Sequence, residues 1–448
     1  MSSLTLRQSC LWLHRYTGLV MAGFLLLAGL TGALLAFHEE LDEWFNQDLA
    51  YIQASKKPPL AIADLHDKVI AAYPEYNFSS MPTSIEAERS AVFLVDRARG
   101  KQASTAAKAP FQEVYVNPYD GAILGTRDKE QWAWRNTMHK VFWLHRDLLL
   151  GDIGKWLLGI ISLLWTINCF IGFYLTWPRK VKNKNNSANQ SQRLPAKKRA
   201  SFIKRWLTAW KIRTNTNTFK LNYDLHQAFG LWLWLMLLVI AWSSVGFNLQ
   251  PVYQPVMQTL VGLKAKEDRP ARPKEQSQLQ HQSADANNKI TKANSIAYLS
   301  KQADIAAQQN GVEVERLLGI RWLAEENQWQ MRFSTNQDIG KKGGASSITV
   351  DAVSGQLEKV KFGYQSSFAS KTDQWLATLH MGHIGLAEDE KIAHRLYQVF
   401  LALIGLAVST LSGTGVYLWL KGRQSRAKQR QKLALKNDFS KQIGKTSY

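Results

Sequence analysis

The sequence predicts a mixed fold. A four-helix transmembrane bundle carries two α+β domains on one side of the membrane, and the halves form an internal two-fold repeat. Three observations predict it. Four apolar runs are each long enough to cross a bilayer, which takes about 20 residues as a helix. The stretches after the second and fourth runs are strongly basic: twelve Lys/Arg and no Asp/Glu over residues 179–213, nine and one over residues 421–448. The chain also repeats itself. A histidine opens the first and third runs (His14, His226), and Leu-His precedes the second and fourth (Leu144-His145, Leu379-His380). The run ending Gly172-Phe-Tyr-Leu-Thr-Trp177 is echoed by Gly415-Val-Tyr-Leu-Trp419.

Residues 1–38 hold the N-terminus and the first span, uncharged from Tyr16 to Phe37. That run exceeds the 7–15 or so apolar residues of a signal peptide, so a retained helix is expected. Residues 39–150 form the first domain. Apolar spacing predicts a helix over 59–73, alternation predicts strands over 90–96 and 113–117, and Pro118–Gly121 marks a turn into a short strand from 122. The second span occupies 151–178 and stops at Pro178-Arg179. A basic loop fills 179–224, and the third span, 225–250, ends before Pro251. Residues 251–392 form the second domain. It has a polar, Gln- and Pro-containing linker over 263–288, a helix over 293–309, and strands over 316–324, 328–333, 347–350 and 356–360. The fourth span is 393–420 and the basic tail 421–448. Trp12, Trp156, Trp177 and Trp419 mark span ends, where indoles favour the membrane interface.

The positive-inside rule places the basic loop and tail in the cytoplasm. The N-terminus is then cytoplasmic too, and both domains face the periplasm of a bacterial inner membrane. The net charge of +21 and the pI near 9.8 raise nucleic-acid binding. The basic residues, however, cluster beside spans, which points to lipid head groups and no nucleic acid. Two cysteines stand outside any C-x-x-C-H motif, so a haem here is held by coordination and packing alone. No nucleotide loop, flavin motif or hydrolase triad is present, and no catalytic residue is identifiable. An electron donor must come from a partner or from quinol.

Ten histidines carry the chemistry. His14 and His226 alone fall on the cytoplasmic side, at matching positions in the two halves. A lone histidine at a membrane edge usually snorkels or bonds a neighbouring helix. A matched pair on facing helices suits a haem b between them, with Gly18, Gly23 and Gly230 leaving room for the ring. By the same symmetry His145 and His380 hold a second haem near the outer face, with His394, His38 and His139 as alternates. His383 reads as a spare polar contact one turn from His380. Zinc competes on the outer side, where histidines and carboxylates are plentiful. His66 and His281 read as solvent-exposed. Glu39, Glu40 and Asp42 either cap the exit of the first helix or line an acceptor site. Two haems at opposite faces make an electron wire across the bilayer.

HRYTGLVMAGFLLLAGLTGALLAFHEELD, VYVNPYDGAILG, LHRDLLLGDIGKWLLG followed by GFYLTWPRK, and LHMGHIGL before the last span together resemble the PepSY-associated transmembrane helix family. The resemblance runs over nearly the whole chain. It implies four helices, two periplasmic PepSY-like domains and, as in inner-membrane ferrisiderophore reductases and iron-regulated membrane proteins, two b haems. By that resemblance His14, His226, His145 and His380 match the family's histidines, and the substrate is a periplasmic ferric siderophore. The donor is a cytoplasmic flavin/NAD(P)H reductase or quinol. DAVSG stands in the second domain where the first has NPYDG, leaving its turn open to differ. A different class of function stands beside this one: a membrane-anchored PepSY-type regulator that binds peptide or protease without redox chemistry. A chelate transporter is the weakest option, because the spans carry no charge at mid-depth.

Overall fold

The computed structural model describes residues 5–96, 109–179, 201–263, 290–340, 346–384 and 391–445. The linker expected over 263–288, His281 and much of the basic loop lie outside the described residues. The chain divides into two compact units. One, helical, comprises Met1–Leu34, Leu144–Val252 and Phe400–Tyr448; the other, sheet-bearing, comprises Leu35–Trp143 and Tyr253–Val399.

The helices, in chain order, are α1 Leu6–Leu35, α2 His38–Phe45, α3 Gln47–Ala50, α4 Ile62–Ala72, α5 Thr137–Asp147, α6 Asp152–Thr176, α7 Phe202–Trp206, α8 Thr218–Trp232, α9 Trp234–Asn248, α10 Gln250–Val261, α11 Lys292–Gln309, α12 Phe368–Met381 and α13 Lys391–Lys445. Helices α1, α6 and α13 are long and apolar enough to cross a bilayer. The third expected span is broken: α8 and α9 meet at 71°, and the pair makes a fourth crossing when taken as one bent span. Trp232 and Trp234 flank the break. Their indole N–H groups donate to different places, Trp210 O at 3.1 Å and Cys169 O at 3.0 Å, which holds the two halves in different directions.

Small residues set the helix spacing in this unit. A Cβ on Gly29 would stand 2.5 Å from Gly405 O, so α1 and α13 approach backbone to backbone. A Cβ on Gly159 would stand 2.9 Å from Leu249 Cβ, where α6 meets the end of α9. Without a hydrophobic force between helices in lipid, such close packing is what joins them. Cys169, Leu237, Ile404 and Val408 form the buried centre.

In the sheet-bearing unit, strands β2 Ala91–Leu94, β3 Glu113–Val116 and β4 Ile123–Arg127 make one antiparallel sheet in the order β2-β3-β4. The strands β5 Val314–Leu323, β6 Gln328–Thr335, β7 Ser346–Asp351 and β8 Leu357–Lys361 make another, extended by the short β1 Ser80–Met81 to the order β1-β5-β6-β7-β8. Alternation drives the second sheet: Trp329, Met331 and Phe333 of β6 turn inward together with Ile348 and Val350 of β7. The segments on either side of the central spans share one core. Leu65, Phe93 and Val114 pack in the same buried cluster as Leu299, Ile320 and Met331, and β1 pairs with β5 through Ser80↔Arg321 and Met81↔Ile320.

The two turns close alike despite their different sequences. Gly121 N–H bonds Asn117 O at 2.8 Å and Gly355 N–H bonds Asp351 O at 3.0 Å. Both glycines have φ near +70°, at +76° and +70°. His66 departs from expectation: it is buried, at 6% exposure. Its Nε2–H donates to Phe78 O at 2.6 Å and its Nδ1 faces Lys292 Nζ at 3.3 Å. The residue lies on the inward face of α4, whose apolar stripe (Leu65, Val69) carries it into the core.

Candidate functional site

Three histidines of the helical unit share one local arrangement. His14, on α1, sits against α6, where a Cβ on Gly172 would stand 3.1 Å from its Cε1. Its Nδ1 lies 2.9 Å from Asn168 Oδ1, one turn before that glycine. His226, on α8, sits against α13, where a Cβ on Gly415 would stand 3.3 Å from its Cε1. Its Nδ1 lies 3.1 Å from Leu411 O and 3.1 Å from Thr414 Oγ1. His145, at the end of α5, sits on Gly32 of α1 at 3.2 Å, with Nδ1 2.9 Å from Thr31 Oγ1.

The chemistry of these contacts sets the tautomer. A carbonyl oxygen only accepts, so Nδ1 of His14 and of His226 carries the proton and donates. Thr31 Oγ1 gives its own proton to Leu27 O at 2.8 Å, so it accepts from His145. His14 and His226 therefore present Nε2 as a lone pair, the state a metal ligand needs, oriented by the Nδ1 bond. His66 has the opposite tautomer and both nitrogens spent, which marks it as structural.

His14 and His226 come together. Their ring centroids are 6.2 Å apart with planes at 74°. Both line a cavity of about 630 Å³, within the range of roughly 300–1,000 Å³ usual for cofactor sites. Trp165, Phe173, Trp234 and Leu237 supply apolar wall. Gly18 and Gly230 also line it, and a Cβ on Gly230 would meet nothing within 4 Å. Gly23, expected to share this role, is not among the lining residues. Arg7, Arg15, Arg179 and Arg426 line the cavity too. The bend between α8 and α9 falls at this wall. Below it, Asp224 anchors the start of α8 through two 2.7 Å bonds from the Arg213 guanidinium.

The remaining histidines belong to the sheet-bearing unit. His38 and His139 pair edge to face at 5.8 Å. Burial and the nearby Lys129 push His139 down to about 4. Asp42, beside both rings, accepts two 2.8 Å bonds from Arg127. That pairing holds the Asp42 carboxyl below its usual range against the opposing effect of burial. Asp42 is thus a core ion-pair member, and Glu40 is likewise taken up by Arg395 and Gln398. His394 repeats the signature of the helical unit, with Nδ1 2.8 Å from Ile384 O. His380 closes α12, and the His383 carbonyl packs against Gly340. Among the described residues no group of three His, Cys, Asp or Glu gathers to hold a metal ion.

Sequence reasoning found the histidines and missed what orients them. Asn168 had a visible signal: a lone amide inside an apolar span, four residues before Gly172, which opens the repeated motif. Arg15 and Arg426 had none, since both read as ordinary flanking charge.

A family profile described as the PepSY-associated TM region matches residues 11–422. No curated protein matches the chain.

Proposed function

The chain belongs to the PepSY-associated transmembrane family, and from that premise we propose that it is a di-haem electron-transfer protein of the bacterial inner membrane. It draws electrons from a cytoplasmic flavin/NAD(P)H reductase or from quinol and delivers them to a periplasmic ferric siderophore. One electron reduces the ferric ion to ferrous, which hard oxygen ligands hold less tightly, so the metal is released.

The observation that supports this most is the His14/His226 pair. Metal–imidazole bonds of about 2 Å, with each ring centroid roughly 1 Å behind its nitrogen, put two ligands of one metal about 6 Å apart. The rings stand at 6.2 Å, with both Nδ1 positions tied to helix oxygens and an apolar cavity around them. The donor set fits a haem iron, which takes two imidazoles, better than zinc, which takes three or four protein ligands. A haem held there supplies a carrier of one electron at a time. Asn168, Leu411 and Thr414 keep the two imidazoles in the ligating tautomer. The apolar side chains would pack against the ring, and Gly172 and Gly415 let each imidazole approach its neighbouring helix closely.

For the outer haem, His145 is one ligand, supported by the same glycine seat and Nδ1 bond. His380 is its repeat-matched partner, and His394 and the His38/His139 pair are the alternates. Purified protein from haem-replete cells is expected to carry two haems b per chain, with sharp reduced bands of six-coordinate iron. His14→Ala should remove one and leave the other. His380→Ala and His394→Ala, compared by the loss of low-spin bands, assign the outer ligand. Protein purified without any haem would overturn the proposal and favour the peptide- or protease-binding regulator.

A further inference from the structure

Among the described residues, four arginines and no carboxylate line the cavity that holds His14 and His226. They are not equivalent. Arg7 is used within the fold: its guanidinium donates to Leu175 O at 2.7 Å and lies over the Tyr174 ring at 5.8 Å. Arg15 follows His14 directly on α1, and Arg426 lies beyond the end of the apolar run of α13. Among the described residues neither has an ion-pair partner, and both line the same cavity. Cations gathered at one cavity repel unless an anion comes between them. Elsewhere in this chain buried charges are matched: Asp224 by Arg213, Arg127 by Asp42.

We infer that Arg15 and Arg426 bind the two carboxylates on the edge of the ring held by His14 and His226, with Arg179 as a third cation at the same mouth. This rests on the haem reading above. A planar guanidinium fork suits a carboxylate in two-point contact, which a lysine ammonium cannot reproduce. The consequence is orientation. The His pair alone fixes the iron but leaves the ring free to rotate about the axis through the two nitrogens. Cations on one side of the cavity fix which edge faces out. Their positive charge also stabilises the reduced ring, which carries one positive charge less than the oxidised one, so removing them should lower the midpoint potential.

The chemistry that recognises a ring carboxylate also recognises a phospholipid phosphate, and a span-flanking arginine ordinarily meets the latter. The test separates the two. Apo-protein from haem-deficient cells is titrated in detergent with haem b and with haem b dimethyl ester, whose carboxylates are masked, and binding is followed by absorbance. The native chain is expected to hold haem at least about tenfold tighter than the ester. The double variant Arg15→Gln/Arg426→Gln should lose that preference while still binding the ester as well as the native chain does, because the histidines are untouched. Both side chains are exposed, so the variant keeps its fold. Unchanged preference in the double variant overturns the inference and leaves the haem reading standing. A variant that keeps the preference but loses binding to phosphatidylglycerol vesicles assigns the pair to head groups and overturns it as well. Failure of the native chain to bind either ring overturns the haem reading itself.

Discussion

The two units differ in what their arginines and histidines meet. In the sheet-bearing unit Arg127 and His66 are taken up by the fold, although most of the unpartnered buried side-chain atoms among the described residues lie there too. Arg127 is 2% exposed and is held by Asp42, with Asn136 accepting its Nε–H at 3.0 Å. His66 spends both ring nitrogens on the fold. In the helical unit three histidines are held through Nδ1, and two cavity arginines have no described carboxylate. A buried polar group that satisfies itself stabilises a core; one left half-satisfied at a cavity is what a ligand completes. The same residue types therefore mark structure in one region and a site in the other.

On the di-haem proposal, the largest effect expected from this contrast is loss of the inner haem. His226→Ala should remove one haem per chain and stop transfer across the membrane, while His66→Gln should leave the haem count unchanged. Pigment per chain measures both, and equal losses would erase the distinction. Next comes Asp42→Ala, which takes the two-point partner from the buried Arg127 guanidinium and leaves it only the more distant Glu113, at 3.7 Å, as a carboxylate. Breaking a buried pair from one side costs about 3–5 kcal/mol, so denaturant or proteolysis should find the sheet-bearing unit much weaker. The absorption of the inner haem should not change.

A smaller effect is expected from Gly172→Ala, paired with Gly415→Ala. Each added Cβ presses a ring that must yield by a few tenths of an ångström. Several-fold faster loss of haem, with helicity retained, is the expected result. The smallest effect is a pH dependence. Burial, aided by Lys292, holds His66 below its ordinary value, so the folded state resists its protonation. The unfolded chain protonates near pH 6.5, so the contribution is intact above that pH and falls as the pH drops below it. His66→Gln should flatten this acid limb in thermal melts between pH 5 and pH 7.

Several features were legible because they depend on local pattern. Helix α4, strand β3 and strand β6 follow from periodicity, and the family from motifs spread along the chain. The break between α8 and α9 was not legible. Neither proline nor glycine stands at Leu233, and the bend comes from two indoles bonding distant carbonyls. His66 was misjudged as exposed, since its position on α4 is interpretable only once the inward face is known.

The sequence by itself determined that the chain crosses a membrane, which stretches form strands, and that His14 and His226 hold matched positions. Those properties follow from composition and spacing. Tertiary structure decided which ring nitrogen each histidine keeps, which arginines find a carboxylate, and that Ser80–Met81 joins a sheet more than 200 residues away in sequence. Hydrogen-bond partners and charge neighbours are set by which helix faces meet, and no local pattern carries that.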